Sequence, residues 1–528
     1  MLIVRNLRLR PGEKESRLPA QAARALRLPP ERIGEWKILK KSLDARKKSD
    51  IHWIYTIACA VSDEEGVLAR SPEAARYEPY IYSIPRARSD LPPVVVGLGP
   101  AGLFAALLLA RAGLRPLVLE RGGDVDARTA AVRSFWETGT LDPDCNVQFG
   151  AGGAGAFSDG KLATGTHDSR IPFVLQTFRD FGAPESVTYD AKPHLGTDVL
   201  HEVVRNMCEE ITALGGTIRY RTCLSALTVE EGKLAAITAV SAGETISLPC
   251  RELILAIGHS ARDTFTWLHG MGVPMERKPF AMGVRIEHLQ SRIGLAQYGE
   301  NYVNLPAADY KLSVRLPGGG SAYTFCMCPG GYVVAAASEP GGICTNGMSY
   351  SGRAGENADS ALLVTLQPED FPGEGVLAGM RWQREIERAC FTLGGGTYAA
   401  PAQTVGDFLR GAPSTGPGSV EPTYRPGVRW CDLHAALPAA LTDVLEAAIP
   451  ALGKTLRGFD DADAVLTAPE TRSSSPVRIL RDAQSLESAA AAGLYPGGEG
   501  AGYAGGITSA AVDGMRAAEK LIGKYRIE

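Results

Sequence analysis

The chain has 528 residues, room for roughly two to four domains. Its 45% hydrophobic content excludes whole-chain disorder, and 55 Lys+Arg against 59 Asp+Glu argue against a uniformly basic protein that coats nucleic acid. Glycine is 60 of 528 residues and sits in local clusters, which points to tight turns and close backbone approach to a ligand.

The ten cysteines run from Cys59 to Cys431 without a CxxC pair or a His-rich tract, so no metal site is expected. Scattered free thiols suit a reducing compartment, and the opening MLIVR is too short for the apolar region of a signal peptide. Both readings lead to an expected cytoplasmic location. The most apolar stretch, 94–119, is broken by Gly97, Gly99, Pro100, Gly102, Arg111 and Gly113, so no membrane span is expected.

Residues 1–90 carry 18 Lys+Arg and 12 Asp+Glu, a net of +6. The pattern predicts a strand at 2–9, a helix at 20–28 and strands at 35–43 and 51–61. Four prolines in 78–93 read as a linker, so 1–90 is taken as a small α/β appendage with its linker. A β-branched run at 93–97, a helix at 101–112 and a strand at 115–120 then make a βαβ unit. Strands are expected at 215–224, 234–241 and 245–257, and an Ala-rich helix at about 505–524 closes the chain. The less periodic middle, 277–465, reads as an inserted domain. Within it, the Pro- and Gly-rich stretch 411–426 is expected to be an exposed loop.

The sharpest motif is Gly97-Leu98-Gly99-Pro100-Ala101-Gly102, a GxGxxG after a strand and opening a helix. Gly97 permits the turn, Gly99 lets the backbone approach a pyrophosphate, and Gly102 lets helix pack on strand. The helix N-terminus directs free N–H groups at the phosphates. Glu120, at the end of the second strand, suits ribose hydroxyls and would repel a 2′-phosphate. Further on, Gly150, Gly152, Gly153 and Gly155 leave a backbone bare enough to face a phosphate or a flat ring.

These residues resemble the FAD-binding fold of the glutathione-reductase-like flavoproteins. Glu120-Arg121-Gly122 and Arg128 resemble that superfamily's loop after the second strand. The segment 149–155 resembles its flavin-cradling glycine loop. Leu255-Ala256-Ile257-Gly258 resembles its A-T-G strand end, with Ile257 for Thr. Gly498-Glu499-Gly500 resembles its C-terminal G-D motif, with Glu499 for Asp, and the helix from about Gly505, through Gly506 and Ile507, is expected to aim its N-terminus at the flavin. The segments 41–46, 155–162, 325–331 and 470–478 are similar to one bacterial family of FAD-dependent dehydrogenases, often labelled NAD(P)/FAD-dependent oxidoreductases. The resemblance spans the whole chain and implies bound FAD and a redox role. The expected fold is a glutathione-reductase-like FAD-binding Rossmann domain (91–276 and 466–528), with an inserted mixed α/β substrate domain (277–465) and the N-terminal α/β domain (1–90).

Flavin would carry the hydride chemistry, so catalytic side chains are not legible as a motif. Arg472 and Arg478 flank a Ser-rich turn and could hold a substrate carboxylate; a structural clamp on Glu470 or on loop carbonyls is the competing role. Cys326 and Cys328 share a strand-like stretch and are expected on opposite faces, with at most one facing the flavin; a buried inert thiol is the competing role, since no neighbouring His or Lys is visible to lower a pKa. His259 is an acid/base candidate against a capping or packing role. No second GxGxxG follows a strand, so NAD(P)H, if it is the donor, must dock in an open groove. A small-molecule substrate is the expected partner. An RNA-acting flavoprotein, motivated by Lys37, Lys40, Lys41, Arg46, Lys47 and Lys48, and a non-catalytic flavin-binding protein are the alternatives. Composition and motifs do not fix the oligomeric state.

Overall fold

The computed structural model describes residues 1–71 and 73–527. Among them, the organising element is a five-stranded parallel sheet in the spatial order Leu494–Pro496, Leu253–Leu255, Val94–Val96, Leu117–Leu119 and Thr217–Arg219. Its inner strands are buried on both faces. Val95, Val118 and Ile254 point into a core with the helices Pro100–Ala112, Gly196–Ala213 and Ile507–Lys524. Val94, Val96, Leu119, Leu253 and Leu255 point the other way, onto a three-stranded antiparallel sheet through Leu224, Leu227, Ile237 and Ala239. The period-2 alternation of Cβ directions explains why these short runs are apolar throughout.

The apolar stretch 94–119 is therefore strand, buried helix and strand. Gly113 ends the helix in the left-handed region, at φ 97°. No helix among the described residues is long and apolar enough to cross a membrane.

Two expected strands divide. The run 245–257 breaks into Glu244–Pro249, in the antiparallel sheet, and Leu253–Leu255, in the parallel sheet. The run 215–224 breaks at a turn whose Arg221 has a φ of 52°. In both cases one apolar run serves two sheets, which periodicity does not reveal.

A second body is built on an eight-stranded, mostly antiparallel sheet centred on Phe280–Leu289, Asn357–Leu366 and Ser321–Ala335. The helices Ala378–Leu393 and Ala439–Thr455 cover its core. Met275–Arg277 and Val477–Ile479 pair antiparallel where the chain leaves the parallel-sheet region and where it returns. Val465–Glu470 pairs with Phe280–Leu289, so the expected start of the second FAD-domain segment at 466 falls inside a strand of the large sheet. The loop 411–426 is largely exposed but anchored by buried Ser414, Val420 and Tyr424.

At the N-terminus, Ile33–Asp44, His52–Val61, Leu2–Leu9 and Ala75–Arg76 form a four-stranded sheet, with the helix Leu18–Ala25 on its core. The helix begins two residues before the expected 20, with Pro19 in its first turn, where a missing N–H costs nothing.

Candidate functional site

An elongated cavity of about 450 Å³ runs across the C-terminal ends of the parallel strands and reaches the large sheet. The placement agrees with the rule that open α/β sheets bind ligands outside the carboxyl ends of their strands. Gly97, Gly99, Pro100, Ala101, Glu120, Arg121, Gly150, Gly153, Gly155, Gly258, Glu499, Gly506 and Ile507 all line it. Gly102, Arg128 and Gly152 do not: the structure puts them behind the lining.

Gly97 has a φ of 92°, and a Cβ there would run into the Ala256 carbonyl, so only glycine serves. A Cβ on Gly102 would collide with the Gly97 carbonyl, which makes Gly102 a packing residue. Gly99 differs. Its φ is −72°, and a Cβ would meet only Gly153 Cα, at 3.6 Å. Gly258, Gly505 and Gly506 have nothing within 4 Å of where a Cβ would stand, yet all three line the cavity. Bare backbone facing open space inside a cavity is what a bound ligand requires.

Glu120 is buried and its carboxylate is already engaged. Oε2 accepts from Leu98 N at 2.7 Å, while Oε1 accepts from Gly122 N and Gly150 N, both at 2.9 Å. It ties the glycine elbow to the glycine loop while lining the cavity. Arg128 supports that loop from behind, donating to the carbonyls of Asn146 (2.9 Å), Val147 (2.8 Å) and Ala151 (2.7 Å). It has no carboxylate partner among the described residues, and burial brings its pKa down to about 10. Arg121 pairs with Asp263 at 2.7 Å over the Phe149 ring. His259 Nδ1 lies 3.3 Å from Glu499 Oε1, while its buried Nε2 has no partner among the described residues. The helices Pro100–Ala112 and Ile507–Lys524 both open on the cavity, so two positive dipole ends converge there.

The opposite wall belongs to the large sheet and is charged. Buried Arg285 donates to Glu470 (3.0 Å), Asp359 (2.8 Å), Asn346 (3.0 Å) and the Cys326 carbonyl (3.1 Å). Asp159 accepts from Lys161 at 2.8 Å and from Arg353 at 3.0 Å. Burial opposes the Lys161 charge, but the Asp159 carboxylate outweighs it and holds the ammonium above its ordinary range. Lys311 also lines the cavity and has no carboxylate partner among the described residues.

The two arginine candidates separate. Arg472 touches the cavity but is spent on Glu387, at 3.0 and 2.9 Å, and on Ser338 Oγ. Arg262 holds the same carboxylate at 2.8 Å. Burial would neutralise Glu387, yet the two guanidinium groups keep it well below the usual carboxylate range. The clamp is therefore on Glu387, a residue of the helix Ala378–Leu393, and not on Glu470 or loop carbonyls. Arg478 lies outside the lining and pairs with Glu276 at 2.9 Å.

Residues two apart share a face in a regular strand, so a split between the two cysteines has to come from an irregularity. The register shifts between Phe325 and Cys328, Cys326 has a φ of 42°, and Cys328 Sγ turns back to the Cys326 carbonyl at 3.2 Å. Cys326 lines the cavity, with Cys328 buried behind it.

A protein of Clostridium beijerinckii, described as uncharacterized, is 47% identical over 532 residues, covering 99% of this chain and 98% of its own. The chain belongs to that protein's family. A family model described as "FAD-dependent protein, C-terminal domain-like" matches residues 279–473, and a domain of unknown function (DUF8436) matches residues 1–60. Among solved structures, glycerol-3-phosphate dehydrogenase from Bacillus halodurans complexed with FAD aligns over 83% of this chain and 65% of its own, at 12% identity and a TM-score of 0.36. A geranylgeranyl bacteriochlorophyll reductase-like protein from Thermoplasma acidophilum aligns over 82% and 78%, at 13% identity and a TM-score of 0.37.

The basic cluster of the N-terminal domain is partly satisfied internally. Lys41 pairs with Glu15 at 2.8 Å, Arg46 pairs with Asp44 at 2.6 Å, and Lys37 lies over the Tyr77 ring. These pairings leave less free charge for a phosphate backbone than the count of lysines suggests.

Proposed function

We propose that this protein is an FAD-dependent oxidoreductase with a glutathione-reductase-like cofactor domain, acting on a small molecule admitted between that domain and the large sheet. The observation that carries the reading is the bare glycine backbone along the cavity: Gly99, Gly258, Gly505 and Gly506 each leave room there that a Cβ would take. The match of 279–473 to a family described as FAD-dependent supports the choice of flavin.

In this reading the elbow Gly97–Gly102 and the helix behind it hold the pyrophosphate. Glu120 accepts ribose hydroxyls, Glu499 accepts a ribityl hydroxyl, and Gly150–Gly155 lies along the ring system. Gly506 and Ile507 bring a helix N-terminus to the ring, where a positive dipole end favours the reduced, anionic form. Bound FAD supplies two-electron hydride chemistry. The chain's own part is to orient and shield the reactants, with Lys161 and Lys311 offering charge to an anionic substrate group. His259, beside Glu499 at the cavity wall, is the acid/base candidate nearest the cofactor segment.

Anaerobic stopped-flow mixing of the holoprotein with NADH and with NADPH tests the redox role and the nicotinamide donor together. Bleaching of the flavin bands by either nucleotide is the expected result. A flavin that neither nucleotide nor dithionite reduces would remove the oxidoreductase reading.

A further inference from the structure

Cys326 and Cys328 are joined by more than sequence proximity. Cys326 is a non-glycine residue held in the left-handed region on a bulge, a conformation that costs energy and persists only where its surroundings impose it. Arg285 Nη1 grips the Cys326 carbonyl at 3.1 Å, Lys161 Nζ donates to the Met327 carbonyl, and Cys328 Sγ lies 3.2 Å from the Cys326 carbonyl. Three anchors thus fold Cys326-Met327-Cys328 back on itself and turn the Cys328 thiol toward Cys326.

Only Cys326 reaches the cavity; Cys328 is fully buried behind it. The outer thiol also shares the lining with Gly155 and Ile507, the residues that the proposed function puts beside the flavin ring. An outer thiol facing a reactant with a second thiol in reach behind it is the arrangement of a dithiol that closes and opens.

We propose that Cys326 and Cys328 form a redox-active dithiol that exchanges an electron pair with the flavin, which gives the protein a second two-electron store. The inference rests on the FAD reading above. In the closing direction both S–H bonds break and one S–S bond forms. The two electrons reduce the flavin, one proton stays on it, and the other leaves to solvent. The opening direction reverses each step. Charge at the site favours the outer sulfur as the reacting one: its hydrogen bond from Cys328 outweighs burial, and with Lys161 and Arg285 beside it the Cys326 thiol lies below the ordinary thiol range. Cys328 is pushed above that range by burial and by its neighbour.

The test uses the holoprotein, its flavin content read from visible absorbance. It is titrated anaerobically with dithionite, and samples are quenched with iodoacetamide before reduction, after full reduction and after reoxidation. The peptide containing both cysteines is then weighed. The expected result is uptake of two electron pairs per flavin by the wild type and of one by Cys326→Ser. The oxidised peptide should be unalkylated and lighter by two hydrogens, and the reduced peptide alkylated at Cys326. Retained flavin reports that the variant is folded; if Cys326→Ser loses it, Cys328→Ala is read the same way, and the wild-type readings decide the matter without either variant. Bound flavin that takes up one pair, with Cys326 already alkylated in the oxidised protein, would overturn the dithiol while leaving the FAD reading intact. Absence of bound flavin at the outset would overturn both.

Discussion

The two walls of the cavity are built on opposite principles. The wall from the parallel-sheet body is rich in bare backbone, with glycines at the elbow, the loop and the helix N-terminus, and its charges are tied down: Glu120 to backbone N–H groups, Arg121 to Asp263, and Arg128 to carbonyls behind the lining. The wall from the large sheet lines the cavity with side chains and no glycine: Lys311, Glu470, Arg472 and Cys326 stand there, and Arg285 fixes it from inside, while Lys161 reaches it from the segment after the glycine loop. Bare backbone suits a ligand with many hydrogen-bond acceptors that must come close. Fixed charges in a water-poor wall suit a reaction in which charge moves. The difference separates holding a cofactor from acting with it.

The comparison breaks most visibly at Arg285. Replacing it with Met leaves the Glu470 and Asp359 carboxylates buried without their cation, a loss of about 3–5 kcal/mol. Urea unfolding should report it, and a change below about 1 kcal/mol would show that the charged wall is not held from this centre.

Two glycine variants sharpen the other wall. Gly102→Val forces a side chain into the Gly97 carbonyl and should cost up to about 3 kcal/mol through overpacking. Gly99→Val meets no protein atom closer than Gly153 Cα, so the apoprotein should melt near the wild-type apoprotein, yet the variant should carry no flavin. Flavin retained at full occupancy by Gly99→Val would move the pyrophosphate away from the elbow.

A smaller effect is expected far from the cavity. Burial opposes the charge of His434, but its hydrogen bonds to Asp432 (2.7 Å) and Glu446 (2.9 Å) raise its pKa above the usual value. A pKa raised on folding adds stability that is complete below the unfolded value and lost as pH rises through the folded one. His434→Gln should therefore cost less than about 1 kcal/mol, most of it under mildly acidic conditions and fading toward alkaline pH. A gap that widens with rising pH would contradict the assignment. Least of all should change in Arg478→Ala, which removes a half-exposed pair with Glu276 outside the cavity. Stability within about 0.5 kcal/mol and unaltered flavin reduction are expected. A large loss of turnover would return Arg478 to the reacting centre.

The contrast between the walls also explains what the amino-acid order made legible. The elbow Gly97–Gly102, Glu120 and the loop 150–155 are local: each motif lies within one turn or one βαβ unit, and short-range chemistry fixes its form. The charged wall is assembled from residues far apart in the chain. Arg285 meets Glu470 185 positions on and Asp359 74 positions on, and Arg472 meets Glu387 85 positions back. No spacing rule connects such pairs. Arg285 and Glu387 were accordingly missed; the one available signal was that each charge interrupts an element with a strongly apolar face. The expected boundary at 465/466 falls inside a strand for the same reason, because Val465–Glu470 takes its partner from Phe280–Leu289. Cys326 and Cys328, which would share a face in a regular strand, part because side chains outside the strand hold a bulge there.

The most direct measurement is the visible absorption spectrum of the purified chain after incubation with FAD and removal of free flavin by gel filtration. The account predicts flavin bands that travel with the protein peak at close to one equivalent. A colourless protein peak, with all the flavin in the small-molecule fraction, would contradict it.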